Sequence, residues 1–145
     1  MKKIQSMIIL ALLFPILTVG IKFVAYSFLP TSIWIDYKSI TVQDINSGET
    51  TQEWLIDRNV KRVSLRGTYL DNAFCEGNSG EYKEYYTYRG DALYQSGTST
   101  KSVIQIPDTL PKGQCYWLSN VKIELPYGIE RDLPADIQSN IFLVK

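Results

Sequence analysis

Two cysteines, Cys75 and Cys115, and two carboxylate pairs, Glu81 with Glu84 and Glu130 with Asp132, are the residues of this 145-residue chain whose types and spacing could do chemistry. A thiol pair can form a disulfide, exchange electrons or ligate a metal, and a carboxylate pair can divide general acid and base duties in glycoside cleavage. The chain contains no histidine, so neither a Ser-His-Asp nor a Cys-His arrangement can be built, and a metal would find few donors. The cysteines lack the C-x-x-C spacing of a redox pair. Gly77 to Gly80 follows a loop and opens no helix, so it is no phosphate cradle. Neighbouring acids on a mixed-charge surface are solvated charges in most proteins. The residues predict a protein that is not an enzyme, with no cofactor and no metal, and a structural disulfide between Cys75 and Cys115.

The first thirty residues decide which compartment those cysteines meet. Lys2 and Lys3 precede an apolar run from Met7 to Ile21, followed by Lys22, the stretch FVAYSFL and Pro30. Read as a helix from Ile4 to Leu29, the segment extends about 39 Å, enough to cross a hydrocarbon core of about 30 Å with some tilt. Lys22 lies about two turns from the carboxyl end, within reach of the headgroups for a snorkelling ammonium. Pro15 and Gly20 are tolerated in spans. The hydrophobicity runs all round the helix, which argues against a segment buried in a soluble core.

Two outcomes share this start: a signal anchor retained over residues 1–29, or a signal peptide cut after Ser27. Bulky Tyr26 and Phe28 around that position, and the apolar character that resumes after Lys22, favour the anchor. Either way Lys2 and Lys3 stay in the cytoplasm and residues 30–145 are delivered across the inner membrane, where disulfides persist. Lys2, Lys3, Lys22 and Trp34 are the expected membrane-interface residues. No cysteine near the end of the segment offers a lipid-attachment site.

The elements that must position the cysteines read as strands. Residues 30–145 are rich in Tyr, Val, Ile and Thr and poor in Ala, and they carry twelve Lys and Arg against fifteen Asp and Glu, interspersed. That is no nucleic-acid footprint, which needs clustered basic charge. Alternation predicts a long or bent first strand from Ile33 to Gln43, a break at Asn46-Ser47-Gly48, and a second strand from Arg62 to Tyr69. Asp71-Asn72 and Gly77 to Gly80 read as loop, and Glu81 to Gly90 and Ser102 to Ile106 read as strands. The longest alternation sets Cys115, Trp117, Ser119, Val121 and Ile123 on one face, and Pro126-Tyr127-Gly128 turns the chain toward a last strand, Ser139 to Lys145. About seven short strands with no amphipathic helix predict an all-β sandwich at 30–145 behind one transmembrane helix. The last residues should then be integral to it.

The stretch IPDTLPKGQCYWL, Ile106 to Leu118, resembles the corner before the penultimate strand of immunoglobulin-like and fibronectin-type-III-like bacterial and phage domains. The anchor followed by WIDYKSITV resembles small single-span membrane proteins of bacterial and bacteriophage genomes. The resemblance implies an immunoglobulin/fibronectin-III-like sandwich and transfers no functional residue. It also compares a Cys75–Cys115 bridge with the one tying the second and penultimate strands of such domains. Because Cys75 lies past the clear alternation of its strand, the bridge is expected to start from a loop or a strand end.

Tyr82, Lys83, Tyr85, Arg89 and Tyr94 are the candidate binding surface, since Tyr carries much of the energy of protein interfaces and stacks on sugars. Against this, Tyr82, Tyr86 and Tyr88 can simply fill the sandwich. Trp34 and Trp54 read as interfacial or core, and Trp117 as core. Arg58, Lys61, Arg62 and Arg66 form a small basic group. The expected function is a non-catalytic, membrane-anchored binding or adaptor module with an envelope or membrane protein as partner; the alternative is a secreted, cleaved sandwich that binds a ligand or inhibits an enzyme. Lys22 pairing with an acid of another membrane protein is a further possibility.

Overall fold

The computed structural model describes residues 2–46, 48–61 and 65–145, with side chains from residue 7 onward. Ser47 of the expected turn, Arg62, Val63 and Ser64 of the expected second strand, and the side chains of Lys2 and Lys3 lie outside the described residues.

Helix α1 covers Lys2–Phe28, and its stretch Met7–Phe28 is long and apolar enough to cross a membrane. Two of its hydroxyls are satisfied locally: Thr18 Oγ1 donates to the Pro15 carbonyl at 2.8 Å and Ser27 Oγ to the Phe23 carbonyl at 2.9 Å. A short 3-10 turn, Thr31–Ile33, leads into the strands, nine among the described residues: β1 (Ile35–Val42), β2 (Thr51–Val60), β3 (Leu65–Glu76), β4 (Tyr82–Tyr94), β5 (Gly97–Gln105), β6 (Gly113–Leu125), β7 (Ile129–Asp132), β8 (Ile137–Gln138) and β9 (Phe142–Val144).

They form two antiparallel sheets. One has the order β1-β2-β5; the other has the order β4-β3-β6, with β7, β8 and β9 along the far edge of β6. The last three follow one another down β6, with Ile129 opposite Leu125, Ile137 opposite Ser119 and Phe142 opposite Cys115. They are one edge strand interrupted twice, at residues 133–136, where Pro134 has no N–H to give to a ladder, and at residues 139–141. Counted so, three strands face four, and the chain changes sheet after β2, β4 and β5, the arrangement of an immunoglobulin/fibronectin-III-like sandwich.

One side of the sandwich is closed and the other open. Ile40 and Ile45 make parallel bridges to Ser139 and Val144, joining the β1 side of the first sheet to the end of the second. Asn140 completes the join with its side chain: Oδ1 accepts the Val42 N–H at 2.7 Å and Nδ2 donates to the Val42 carbonyl at 3.1 Å, standing in for a strand's peptide group. On the opposite side β4 and β5 end their sheets.

Two expectations are corrected. Asp71-Asn72, expected as loop, lies within β3, and Thr51–Val60, where alternation predicts no strand, forms β2. In both cases tertiary contacts override local preference: Asp71 is 2% exposed and accepts a hydrogen bond from Ser119, while Gln52 and Trp54 of β2 are buried in the core.

The core has two halves. The half away from the helix packs Trp54 against Trp117 at 5.2 Å between ring centroids, with Ile40, Val42, Phe142 and the disulfide around them. The half next to the helix gathers Trp34, Ile35, Val60, Leu65, Tyr94 and Val121. Cys75 and Cys115 are bonded and stand directly opposite one another on β3 and β6, their Cα atoms 4.0 Å apart. Cys75 does lie at a strand end, one residue before β3 stops. The bridge nonetheless differs from the comparison with immunoglobulin domains, because it staples neighbouring strands of one sheet and does not tie the two sheets together.

Candidate functional site

The expected surface on β4 is split by a bulge. Ala73 pairs with Tyr86 but Phe74 pairs with Glu84, so Tyr85 is the extra residue and the alternation changes face there. Tyr86 and Tyr88 point inward, against Trp117 at 6.2 Å and Tyr69 at 5.9 Å. Tyr82 turns outward, where its ring meets Tyr116 at 5.1 Å and its hydroxyl meets Gln114 Oε1 at 3.3 Å; Tyr116 in turn stacks on Phe74 at 5.3 Å. Lys83, Tyr85 and Arg89 are exposed. Tyr94 corrects the expectation: it is 1% exposed and belongs to the core, its ring over Gly67, where a Cβ would lie 2.8 Å from Tyr94 Cε2.

The carboxylate pairs lie at the surface. Glu84 accepts from Thr87 at 2.7 Å, and Glu130 and Asp132 flank Lys122 at 3.6 and 4.0 Å on an exposed edge. The basic group is dispersed as well: Arg58 turns into the sandwich, Lys61 Nζ donates to the Ser32 carbonyl at 2.9 Å, and Arg66 is exposed.

Two sites that sequence reasoning missed stand out. The first is the junction of helix and sandwich. Arg131 of β7 points its guanidinium at the end of α1, where Nη1 donates to the carbonyls of Tyr26 at 3.1 Å, of Ser27, and of Leu29 at 3.4 Å. The last carbonyls of a helix lack partners and carry partial negative charge, so a cation there satisfies both needs. Tyr26 lies between Trp34, 5.8 Å away, and Tyr127, 6.0 Å away. Trp34, expected at the membrane interface, is 5% exposed and packs behind Tyr26 in place of facing lipid. Lys22 is exposed on the helix. Tyr127 is exposed at the tip of the β6–β7 turn, in a left-handed conformation with φ 67°. No spacing rule links Arg131 to Tyr26, more than a hundred positions away, so the sequence offered no signal for it.

The second is a cleft of about 170 Å³ between the sheets, at the boundary of the two core halves. Its lining includes exposed Asp91 and Thr100 from the two free edges, and Asp71 from the interior. Burial pushes the Asp71 carboxyl up to about 6, against the pull of the Ser119 hydrogen bond. Among the described residues the ion pairs are Lys122 with Glu130 and Asp132, and Lys145 with Asp44, so none neutralises Asp71. Arg58 lines the same cleft, but its guanidinium lies 4.6 Å from the centre of the Tyr94 ring and donates to the Tyr37 hydroxyl at 3.1 Å and the Thr100 hydroxyl at 3.4 Å. In the sequence the dipeptide Asp71-Asn72 carries the composition of a turn, which hides the interior place of Asp71.

No protein-family model matches the sequence, and no curated protein matches it.

Proposed function

We propose that the chain is a single-span protein of the inner membrane, with its amino terminus in the cytoplasm, that displays a disulfide-bonded sandwich on the outer side. It acts there by binding an envelope or membrane partner, as an adaptor in an envelope or phage-related process. The junction carries the choice between anchor and cleaved leader. A cut after Ser27 removes Tyr26, the ring that covers Trp34 and touches Tyr127, and takes away two of the three carbonyls that Arg131 holds. Residues on both sides of the cut are thus packed as parts of one folded unit. The disulfide, buried and bonded, suits a compartment outside the cytoplasm.

Topology tests this. With a tag at the carboxyl terminus, protease added to intact spheroplasts should remove the tag. A tag that is protected until the membrane is breached places the sandwich in the cytoplasm and overturns the proposal.

A further inference from the structure

A sandwich core has no structural need of a carboxylate at its centre, because taking the charge out of water costs several kcal/mol unless a cation accompanies it. Asp71 is 2% exposed, holds one hydroxyl, and faces open volume. The groups that face it from each packed element are Tyr69 on its own strand, Tyr37 of β1, Arg58 of β2, Tyr88, Asp91 and Tyr94 of β4, and the hydroxyls of Ser102 and Ser119 on β5 and β6. Of these, the one cation is already committed to the Tyr94 ring, Tyr37 and Thr100, and makes no ion pair with Asp71. Tyr69 is engaged with Tyr88. The cleft therefore has an acidic floor, walls of aromatic and aliphatic carbon with the Arg58 guanidinium held against the Tyr94 ring, and a mouth between two free strand edges beside exposed Asp91.

We propose that this cleft binds a small organic cation, an alkylammonium whose nitrogen rests on the Asp71 carboxylate and whose hydrocarbon part lies against Trp54, Ile104 and Val121. A volume of about 170 Å³ suits a ligand on the order of six to eight non-hydrogen atoms, since a cavity of about 150 Å³ accepts benzene. A charge-assisted hydrogen bond to the buried carboxylate favours the cation over a neutral isostere. Binding requires the ionised carboxylate, so it strengthens as pH rises from 5 to 8. The site is independent of how the chain is anchored.

The test is a calorimetric titration of the full-length protein in nanodiscs at pH 8 with cyclohexylammonium chloride and with cyclohexanol, its neutral counterpart. The cation should bind about tenfold or more tightly than the alcohol, and Asp71→Asn should abolish the difference. Ser102→Trp, which fills the mouth and keeps the acid, should abolish binding of the cation, so the outcome does not depend on one variant folding. Equal affinities in the unaltered protein, no binding of either compound, or a preference for the cation that survives in Asp71→Asn or Ser102→Trp overturns the proposal.

Discussion

Gln52 Oε1 accepts the indole N–H of Trp117 at 2.9 Å, and the same oxygen accepts the indole N–H of Trp54 at 3.1 Å. Gln52 and Trp54 belong to the smaller sheet and Trp117 to the larger, so one buried amide ties the two faces of the core and satisfies both indoles at once. Its own Nε2 donates to the Gln43 carbonyl, so both ends of the amide are engaged. Gln52→Leu keeps the volume and orphans both indole donors. It should cost about 2–4 kcal/mol, read as a lower urea midpoint at unchanged slope.

Asp71 makes stability depend on pH. Its folded-state carboxyl is raised to about 6 from 3.8, so the native protein holds a proton that the unfolded chain releases. The stability this confers is complete below the unfolded value and is lost as pH rises through 6, an effect of about 2–3 kcal/mol between pH 4 and pH 8. Urea midpoints measured across that range should fall toward pH 8. In Asp71→Asn this component should vanish, and the variant should be the more stable protein at pH 8.

The disulfide closes a separation of 40 residues between neighbouring strands. In the chain-entropy view such a cross-link is worth about 3–4 kcal/mol, exerted mainly on the unfolded chain. Replacing both cysteines by alanine should lower the unfolding midpoint accordingly while the β-rich circular dichroism spectrum at low temperature is retained.

The closed side of the sandwich depends on the last residues. Phe142 is 1% exposed and stacks on Trp117 at 6.5 Å, and the Lys145 ammonium meets Asp44 at 3.1 Å. Asp44 is held below the usual carboxylate range by the Leu143 N–H and then by Lys145. Deleting residues 140–145 removes Asn140 from Val42 and Phe142 from the core. The truncated chain should fail to fold, seen as loss of protection from proteolysis, whereas Lys145→Ala alone should change the midpoint little because that pair is exposed.

What the sequence disclosed and what it withheld follow from the range of the forces involved. The alternation from Cys115 to Ile123 marked β6 because each inward residue meets the opposite sheet, and the helix was legible because its apolar run is long and unbroken. The disulfide pairing needed only the count of cysteines once export was granted. Hidden were features made by distant partners: β2, whose Gln52 reads as polar until two indoles are placed beside it; the interior place of Asp71; and the Arg131 clamp on the helix end. The change of face within β4 stayed hidden because a bulge at Tyr85 has no mark in a run of tyrosines. Tyr94 looked like surface because it trails an exposed-looking cluster, yet it fills the space above Gly67.

The central claim is that helix and sandwich remain one chain, joined at Tyr26 and Arg131. The most direct test is to express the full-length chain with a carboxyl-terminal tag in a bacterial cell, separate membranes from soluble fractions, and weigh the intact tagged product with and without reductant. A membrane-bound, full-length species that gains two hydrogens on reduction is the predicted result. A soluble species lacking residues 1–27, or one whose mass does not change on reduction, contradicts it.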